Sequence, residues 1–511
     1  MNKSNVKTLA DLVRLSAEEF GSRTFLMEKR GKEIVEKNHT DFYEDCKRLN
    51  GFLKPMGRFH AAVIGATSYN YIVSWFGTSL GGNTVVPLDA QLVCEDICEL
   101  LNRADVSVFF YDPRFGEMLD KIKAACPAIH TYICLGEAEE GLTLEGILKD
   151  TAPAEPAEIT PDMLAGILYT SGTTGKSKGV MLSHSNYIDN TFCRDNESEP
   201  DDVLLTVLPI HHVYCFTCDI LLSLRYGNTI CVNDSMMRIG VNLKRFRPTV
   251  ILLVPLIAET IYKQIKAAAA AKPDVPIKAI ADAVFGGRLK GIYSGGAYLA
   301  PEIIEAYAEV GIPIAQGYGM TECSPRISSI TFSDGSFGDV GIIVNGCQVR
   351  IEDGEIVVKS PSVMQGYYKD PEATAEALTP DGWLHTGDLG YVENNRIFIT
   401  GRKKNLIILS NGENVSPEEV ENKFAGKDLI SEVLVYAEDG VITAEVYPNQ
   451  EYCEGKSREE IAAELTELIK QINTTLTSSK TVRRTRIRDV EFDKTTSKKI
   501  RRAQSTKGEL I

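Results

Sequence analysis

The sequence predicts an α/β protein of more than one domain, with a large N-terminal domain of mostly parallel sheets plus a β-rich subdomain, and a small α+β C-terminal domain. Three observations carry this. The chain has 511 residues, beyond the roughly 250–300 at which one hydrophobic core stops growing. Up to about residue 400, β-rich runs such as Ala61–Ile64, Ser107–Phe110 and Thr249–Leu253 alternate with helical patterns such as Glu95–Asn102, which is the alternation of βαβ units. From Val349 the texture changes to hairpins: Val349–Ile351 turns at Asp353-Gly354 into Ile356–Val358, and Tyr391-Val392 turns at Asn394-Asn395 into Ile397–Ile399.

The elements follow in order. Leu9–Phe20 is an amphipathic helix directly after a polar start, so the first residues hold no apolar core of a signal peptide. The longest apolar run, Val250–Ala258, is broken by Pro255 and is too short to span a bilayer, so it reads as a buried strand or helix. The alanines 267–271 read as a helix end before Pro273. After Gly401-Arg402-Lys403-Lys404 a smaller unit begins, its first helix announced by Ser416 as N-cap, Pro417 at the first position and Glu419 closing a capping box. The domains are therefore expected at 1–401 and 402–511.

Composition narrows the function classes. Lys and Arg total 55 against 70 Asp and Glu, a formal net charge of −15 whose field repels nucleic acid and anionic lipid. Any polyanion site must be local. The 12 cysteines are scattered over the chain, and Cys215-x-x-Cys218 has no second pair at zinc-site spacing. Reduced, structural thiols and a cytoplasmic location are the expectation. The basic run Arg483, Arg484, Arg486 and Arg488 reads as a solvated tail.

The sharpest local feature is Leu168 to Gly179, which reads Leu-Tyr-Thr-Ser-Gly-Thr-Thr-Gly-Lys-Ser-Lys-Gly. Glycines permit close backbone approach, N–H groups and hydroxyls donate to phosphate oxygens, and lysines offset their charge. It is not a Walker loop, since two residues rather than four separate Gly172 from Gly175-Lys176-Ser177, and the Val180-Met181-Leu182 that follows reads as a strand where a Walker loop opens a helix. On composition alone a flexible turn remains the alternative.

Three further segments join this loop: Gln316-Gly317-Tyr318-Gly319-Met320-Thr321-Glu322, then Trp383-Leu384-His385-Thr386-Gly387-Asp388, then Gly401-Arg402-Lys403-Lys404. Together, in this order, they resemble the signatures of the adenylate-forming (AMP-dependent synthetase/ligase) superfamily, and the similarity runs from Leu9-Ala10-Asp11-Leu12 through Gly81–Leu88 to Lys499. The resemblance implies activation of a carboxylate by ATP to an acyl-adenylate and pyrophosphate, followed by transfer to a thiol, with ATP, Mg²⁺ and CoA as cofactors. It implies that Thr170, Ser171, Gly172, Thr173, Thr174, Gly175, Lys176 and Lys178 hold the leaving phosphates. Thr321 would touch the α-phosphate, and Glu322 would help bind Mg²⁺, a hard cation suited to carboxylate oxygens. Tyr318 and Gly319, with Gly295-Gly296-Ala297 opposite, would wall the adenine; Asp388 would accept from both ribose hydroxyls, and Arg402 would add a donor. Each has a plainer reading: Glu322 as a helix-end charge, Asp388 as a turn residue, Arg402 as a solvated start of the second domain.

The segment Phe492-Asp493-Lys494-Thr495-Thr496-Ser497-Lys498-Lys499 resembles the superfamily's catalytic-lysine loop, P-K-T-x-x-G-K, with Asp493 for proline and Lys498 for glycine. Spacing from Lys494-Thr495 favours Lys499 over Lys498. An ammonium there would offset repulsion between the attacking carboxylate and the α-phosphate. Lys404 matches the hinge position about which relatives rotate a mobile small domain. In Leu208 to Cys218, reading Leu-Pro-Ile-His-His-Val-Tyr-Cys-Phe-Thr-Cys, His212 matches the gate for the acyl group and CoA. Amino-acid-activating relatives need an aspartate at the place of Tyr214, and no acid follows before Asp219. A buried ammonium without a partner is costly, so an acyl-CoA synthetase for fatty or similarly apolar acids is the leading expectation, with Val213, Phe216, Ile220 and Leu221 as the apolar surroundings. The alternatives are a ligase loading an acyl carrier protein and a nucleotide-binding protein that has lost ligation.

Overall fold

The computed structural model describes all residues except 171–176, 336–337, 410–412, 495–499 and 505. It divides into two compact units, one comprising Met1–Ala297, Ala306–Val349 and Val358–His385, the other Tyr298–Glu305, Arg350–Val357 and Thr386–Ile511. The domain change expected at 401/402 falls inside the second of these units.

The first unit is α/β. One sheet orders its strands Gly366–Tyr367, Lys178–Ser183, Leu164–Thr170, Thr84–Leu88, His60–Ile64, Val106–Tyr111, Thr131–Cys134 and Leu142–Thr143. From Leu164–Thr170 onward the neighbours are parallel, whereas the first two pairings are antiparallel. Another run of parallel neighbours joins Thr229–Val232, Val203–Thr206, Val250–Leu253, Gly291–Ser294 and Ile314–Gly319. Parallel strands need crossovers, and helices such as Tyr69–Leu80, buried along its whole length, supply them. The apolar run that begins at Val250 resolves into the strand Val250–Leu253 and a helix, Pro255–Ala270, opened by its proline and ending in the alanine run. Leu9–Phe20 is helical, closed by a capping box between Thr8 and Asp11. Among the described residues no helix is long and apolar enough to cross a membrane, and all 12 cysteines are free.

In the second unit, Ile430–Glu438, Val441–Pro448, Arg484–Ile487 and Glu509–Leu510 form a mixed sheet. The helix Arg458–Asn473 places Leu465 and Ile469 in a core with Phe424, Val435, Ala444 and Val446. Both expected hairpin turns are present, with Asp353-Gly354 and Asn394-Asn395 at positive φ as a two-residue turn demands.

Two expectations about this unit are corrected. Ser416 is the N-cap of the short helix Pro417–Glu421, but its side chain makes no cap bond; its hydroxyl donates to Glu418 Oε2 at 3.0 Å, and Glu419 pairs with Lys480. The capping box is thus displaced on one side by a neighbour two residues on and on the other by a lysine 61 residues away. The arginine run is not a solvated tail either, because the sheet brings acidic strands beside it. Arg484 and Arg486 pair with Glu438, and Arg488 meets Glu445 at 2.8 Å with the two side chains 2% and 1% exposed.

Glu445 also accepts hydrogen bonds from Tyr436 and the Gly508 backbone. Removing one partner of a buried ion pair strands the other charge. Glu445→Ala is therefore expected to lower the stability of this unit by about 3–5 kcal/mol, read by denaturant unfolding; an unchanged midpoint would show that the pair contributes nothing.

Candidate active site

The strands Leu164–Thr170 and Lys178–Ser183 pair antiparallel with Thr170 opposite Lys178 and Tyr169 opposite Gly179. The glycine-rich segment is therefore the connection of a hairpin, followed by a strand as expected. Ser171, Gly172, Thr173, Thr174, Gly175 and Lys176 lie outside the described residues. Thr170 and Lys178, half-buried at the two ends, are the described members. Arg103 donates to the Ser177 carbonyl at 2.9 Å.

Gly295-Gly296-Ala297 and Tyr318 come together because Gly291–Ser294 and Ile314–Gly319 are parallel neighbours, with Ser294 opposite Gln316. Both segments leave the sheet at strand C-termini, where open α/β sheets bind ligands. Gly295 abuts the Tyr214 ring, since a Cβ there would lie 3.3 Å from Tyr214 Cζ. Gly319 is needed for a closer approach: a Cβ would stand 1.9 Å from the Pro325 carbonyl oxygen.

Thr321–Cys323 forms a single 3₁₀ turn after that strand, and it is tied down from three directions. The Asn190 amide donates to the carbonyls of Cys323 (2.8 Å) and Arg326 (3.0 Å) and accepts from the Arg326 N–H (3.2 Å). The Thr217 hydroxyl donates to the Ser324 carbonyl at 2.9 Å. Ser324 Oγ donates to the Ser362 carbonyl at 2.9 Å, and the Met364 N–H to the Glu322 carbonyl at 2.8 Å. Glu322 is 8% exposed, and its Oε1 accepts from the Tyr367 hydroxyl at 2.8 Å. A helix-end charge would be solvated, so this burial departs from the plain reading of Glu322. Among the described residues no group of three or more His, Cys, Asp or Glu is arranged to hold a metal ion. One buried carboxylate fits Mg²⁺ only when phosphate oxygens supply the other ligands.

In the second unit, Asp388 and Arg402 stand opposite each other across the strands Leu384–Glu393 and Arg396–Arg402, with Arg402 Nε 2.6 Å from Asp388 Oδ1. The two expected ribose contacts are paired with each other. Glu355 holds the preceding backbone, accepting from the Gly387 N–H at 3.0 Å and pairing with Lys403 at 2.8 Å. Lys404 lies in the 3₁₀ turn Lys403–Asn405. Its side chain is exposed, and partial desolvation and then the Arg402 guanidinium hold its ammonium below the ordinary lysine range.

Lys498 and Lys499 lie outside the described residues. Their flanks are fixed: Lys494 bridges to Ile500, Lys494 pairs with Glu432 and Glu491, and Arg502 forms ion pairs with Glu418 at 2.9 Å and Glu421 at 2.8 Å.

His212 is exposed, at the start of a helical segment, with the His211 ring 4.1 Å from its own. Burial and then His212 push the His211 pKa down to about 3, so His211 is neutral at physiological pH. The residues expected to surround an apolar chain are largely taken up in packing: Phe216 stacks on Trp75 at 4.3 Å and Phe76 at 5.7 Å, and Ile220 and Leu221 are fully buried.

Three side chains of this region went unread in the sequence. Asn190 and Tyr367 lie 133 and 45 residues from the atoms they hold, and no local pattern marks them. Asp219 was noted only as the next acid. It is fully buried on the π-helical stretch Phe216–Leu221, where burial raises its pKa to about 7 against the lowering effect of Thr206 and Cys215.

Two family models match the chain, "AMP-binding enzyme" over residues 13–368 and "AMP-binding enzyme C-terminal domain" over residues 404–508. The chain belongs to the AMP-binding enzyme family. Its relatives place it in the acyl-CoA synthetase branch of this adenylate-forming superfamily. It is 28% identical over 505 residues to a long-chain-fatty-acid–CoA ligase of Mycobacterium bovis, with 85% of this chain and 83% of that protein covered. It is 29% identical over 418 residues to the peroxisomal long chain acyl-CoA synthetase 7 of Arabidopsis thaliana, matching 69% of this chain but only 59% of that longer protein. Among solved structures, the o-succinylbenzoate CoA synthetase of Bacillus subtilis in complex with its acyl-adenylate superposes with a TM-score of 0.77 at 25% identity, covering 98% of this chain and 99% of that one.

The Asp219 carboxyl gives a signed prediction. Its folded pKa of about 7 lies above the ordinary 3.8, so the protonated form stabilises the fold below pH 4 and that contribution is lost as pH rises toward 7. Relative to the parent, Asp219→Asn should gain about 1.4 kcal/mol of stability per pH unit between pH 4 and 7. Denaturant unfolding at stepped pH checks this; a pH-independent difference would contradict it.

Proposed function

We propose that this protein is an acyl-CoA synthetase that joins a carboxylic acid, fatty or similarly apolar, to CoA through an acyl-adenylate, with ATP cleaved to AMP and pyrophosphate. The observation that carries the reading is the family match over both parts of the chain, supported by Glu322 lying buried and hydrogen-bonded in the turn Thr321–Cys323.

In the first half-reaction a carboxylate oxygen attacks the α-phosphorus of ATP and pyrophosphate leaves. Both reactants are anions, so the chain's task is to lower their repulsion and align them. Thr170, Lys178 and the segment between them hold the β- and γ-phosphates; Thr321 donates to the α-phosphate; Tyr318, Gly319 and Gly295-Gly296-Ala297 enclose the adenine. Asp388 and Arg402 hold the ribose hydroxyls. Lys499 brings its ammonium between carboxylate and phosphate. Mg²⁺ supplies a hard positive charge to the phosphate oxygens, and Glu322 is the residue that would hold it. In the second half-reaction the CoA thiolate attacks the acyl carbonyl and AMP leaves. Lys404 is the hinge on which the C-terminal domain, residues 402–511, turns between the two tasks, and His212 gates the acyl and pantetheine path.

The apolar acid is supported by relatives named as a long-chain-fatty-acid–CoA ligase and a long chain acyl-CoA synthetase and by Tyr214, where an α-amino substrate needs a carboxylate. Asp219, the next acid on the chain, is fully buried with Cys215 Sγ 3.7 Å from its Oδ2.

A panel of straight-chain acids assayed with ATP, Mg²⁺ and CoA by AMP release tests the substrate class. Each CH₂ buried contributes about 0.8 kcal/mol, so kcat/KM should rise roughly threefold to fourfold per carbon and then fall where the site ends. Preference for α-amino acids, or indifference to chain length, would contradict the reading, and a higher rate with a holo-acyl carrier protein than with CoA would move the acceptor.

Lys499→Ala should lower adenylation by about 10²–10³, the scale for one preorganised donor, and spare thioester formation from supplied acyl-adenylate. That asymmetry in Lys498→Ala instead would move the role by one residue.

A further inference from the structure

The segment Met364–Tyr368 carries no role in the reading above, yet it lies between two elements that do. On one side it continues the sheet beside the glycine-rich hairpin: Tyr367 pairs with Val180 and Gly366 with Met181, the Gln365 N–H donates to the Met181 carbonyl at 2.9 Å, and the Tyr368 N–H to the Gly179 carbonyl at 2.7 Å. On the other side the Met364 N–H holds the Glu322 carbonyl at 2.8 Å. The Tyr367 ring stands between these attachments. The Lys178 ammonium lies 4.9 Å over its face, while its hydroxyl donates to Glu322 Oε1 at 2.8 Å. Tyr367 is 7% exposed, and its hydroxyl is the donor in the bond to Glu322. Gly366 makes the approach possible, adopting φ of +135°, with Thr374 Cγ2 2.8 Å from where a Cβ would stand.

A carboxylate that holds a cation with substrate phosphate must present one oxygen outward and keep its plane fixed. A hydrogen bond on the other oxygen does both, which is why partners behind a ligand tune a metal site. We propose that Tyr367 is a positioning residue that sets the Glu322 carboxylate for Mg²⁺ and ties its position to Lys178 at the end of the phosphate-binding hairpin. This rests on the reading of Glu322 as the Mg²⁺-holding residue. Tyr367 touches neither nucleotide nor acid in this account; it acts through Glu322 and Lys178. A phenylalanine keeps the ring under Lys178 and removes only the hydroxyl, so the variant isolates the bond to Glu322.

The test is calorimetric titration of ATP at stepped Mg²⁺ concentrations, without acid or CoA so that nothing turns over, on the parent, Tyr367→Phe, Glu322→Gln and the double variant. Tyr367→Phe should need about tenfold more Mg²⁺ to reach the parent's ATP affinity, the scale of one hydrogen bond to a charged group, and its affinity for ATP without Mg²⁺ should equal the parent's. The double variant should be no worse than Glu322→Gln, because the tyrosine acts through that carboxylate. Three results overturn the inference. If Tyr367→Phe keeps the parent's Mg²⁺ dependence while Glu322→Gln loses it, the inference fails and the reading of Glu322 stands. If Glu322→Gln itself keeps the parent's dependence, both fail. If Tyr367→Phe weakens ATP binding equally at every Mg²⁺ concentration, the residue serves only packing.

Discussion

The candidate site depends on a buried polar clamp around one tight turn. Residues 321–325 connect the antiparallel strands Ile314–Gly319 and Arg326–Ser329 and are mostly buried, and a backbone group buried without a partner costs about 1–3 kcal/mol. Asn190, Thr217, and Ser362 with Met364, from three separate stretches of chain, engage that turn. Asn190 matters most, since its single amide holds Cys323 and Arg326 at once. Because the clamp is satisfied from several directions, Thr321 and Glu322 stand on a turn that cannot move without breaking several buried hydrogen bonds together. A site that must oppose charge with charge benefits from such rigidity, since preorganised groups need no rearrangement at the moment of reaction.

The second unit solves a related problem with ion pairs. Its basic residues are numerous, yet Arg484, Arg486, Arg488, Lys494 and Arg502 each face a carboxylate. The pairing fixes both flanks of the segment that holds Lys499, because Lys494 before it and Arg502 after it are anchored to different strands and helices. Glu418 accepts from Asn405 as well as from Arg502, so the turn that carries Lys404 and the chain beyond Lys499 share one carboxylate. In a protein of net charge −15, positive charge is thereby kept local and directed.

Much of the fold was legible because its signals are local. Asp353-Gly354 and Asn394-Asn395 announce turns through their tolerance of positive φ, and the β-rich run ending at Leu253 marks a strand, whereas local signals leave the continuation from Pro255, a helix in the structure, open between strand and helix. Ser416 misled because its hydroxyl is taken by Glu418 two residues on, and Glu419 by Lys480, a partner that only tertiary packing supplies. The arginine run misled for the same reason, since nothing near Arg488 in sequence reveals Glu445. Phe216 was read among the apolar surroundings of an acyl chain, and its stacking on Trp75 is a tertiary contact that no local pattern marks. At the site, the motif-bearing residues were legible by resemblance, but Asn190 and Tyr367 were not, because their hydrogen bonds cross 133 and 45 residues of chain.

The claim that binds these observations is that the clamped turn serves adenylation of a carboxylate. Isotope exchange between pyrophosphate and ATP, measured without CoA, tests it most directly, because only reversal of acyl-adenylate formation returns label to ATP. The account predicts exchange that requires both Mg²⁺ and an apolar carboxylic acid. Exchange that proceeds without any acid, or fails with every acid tried on folded protein, would contradict it.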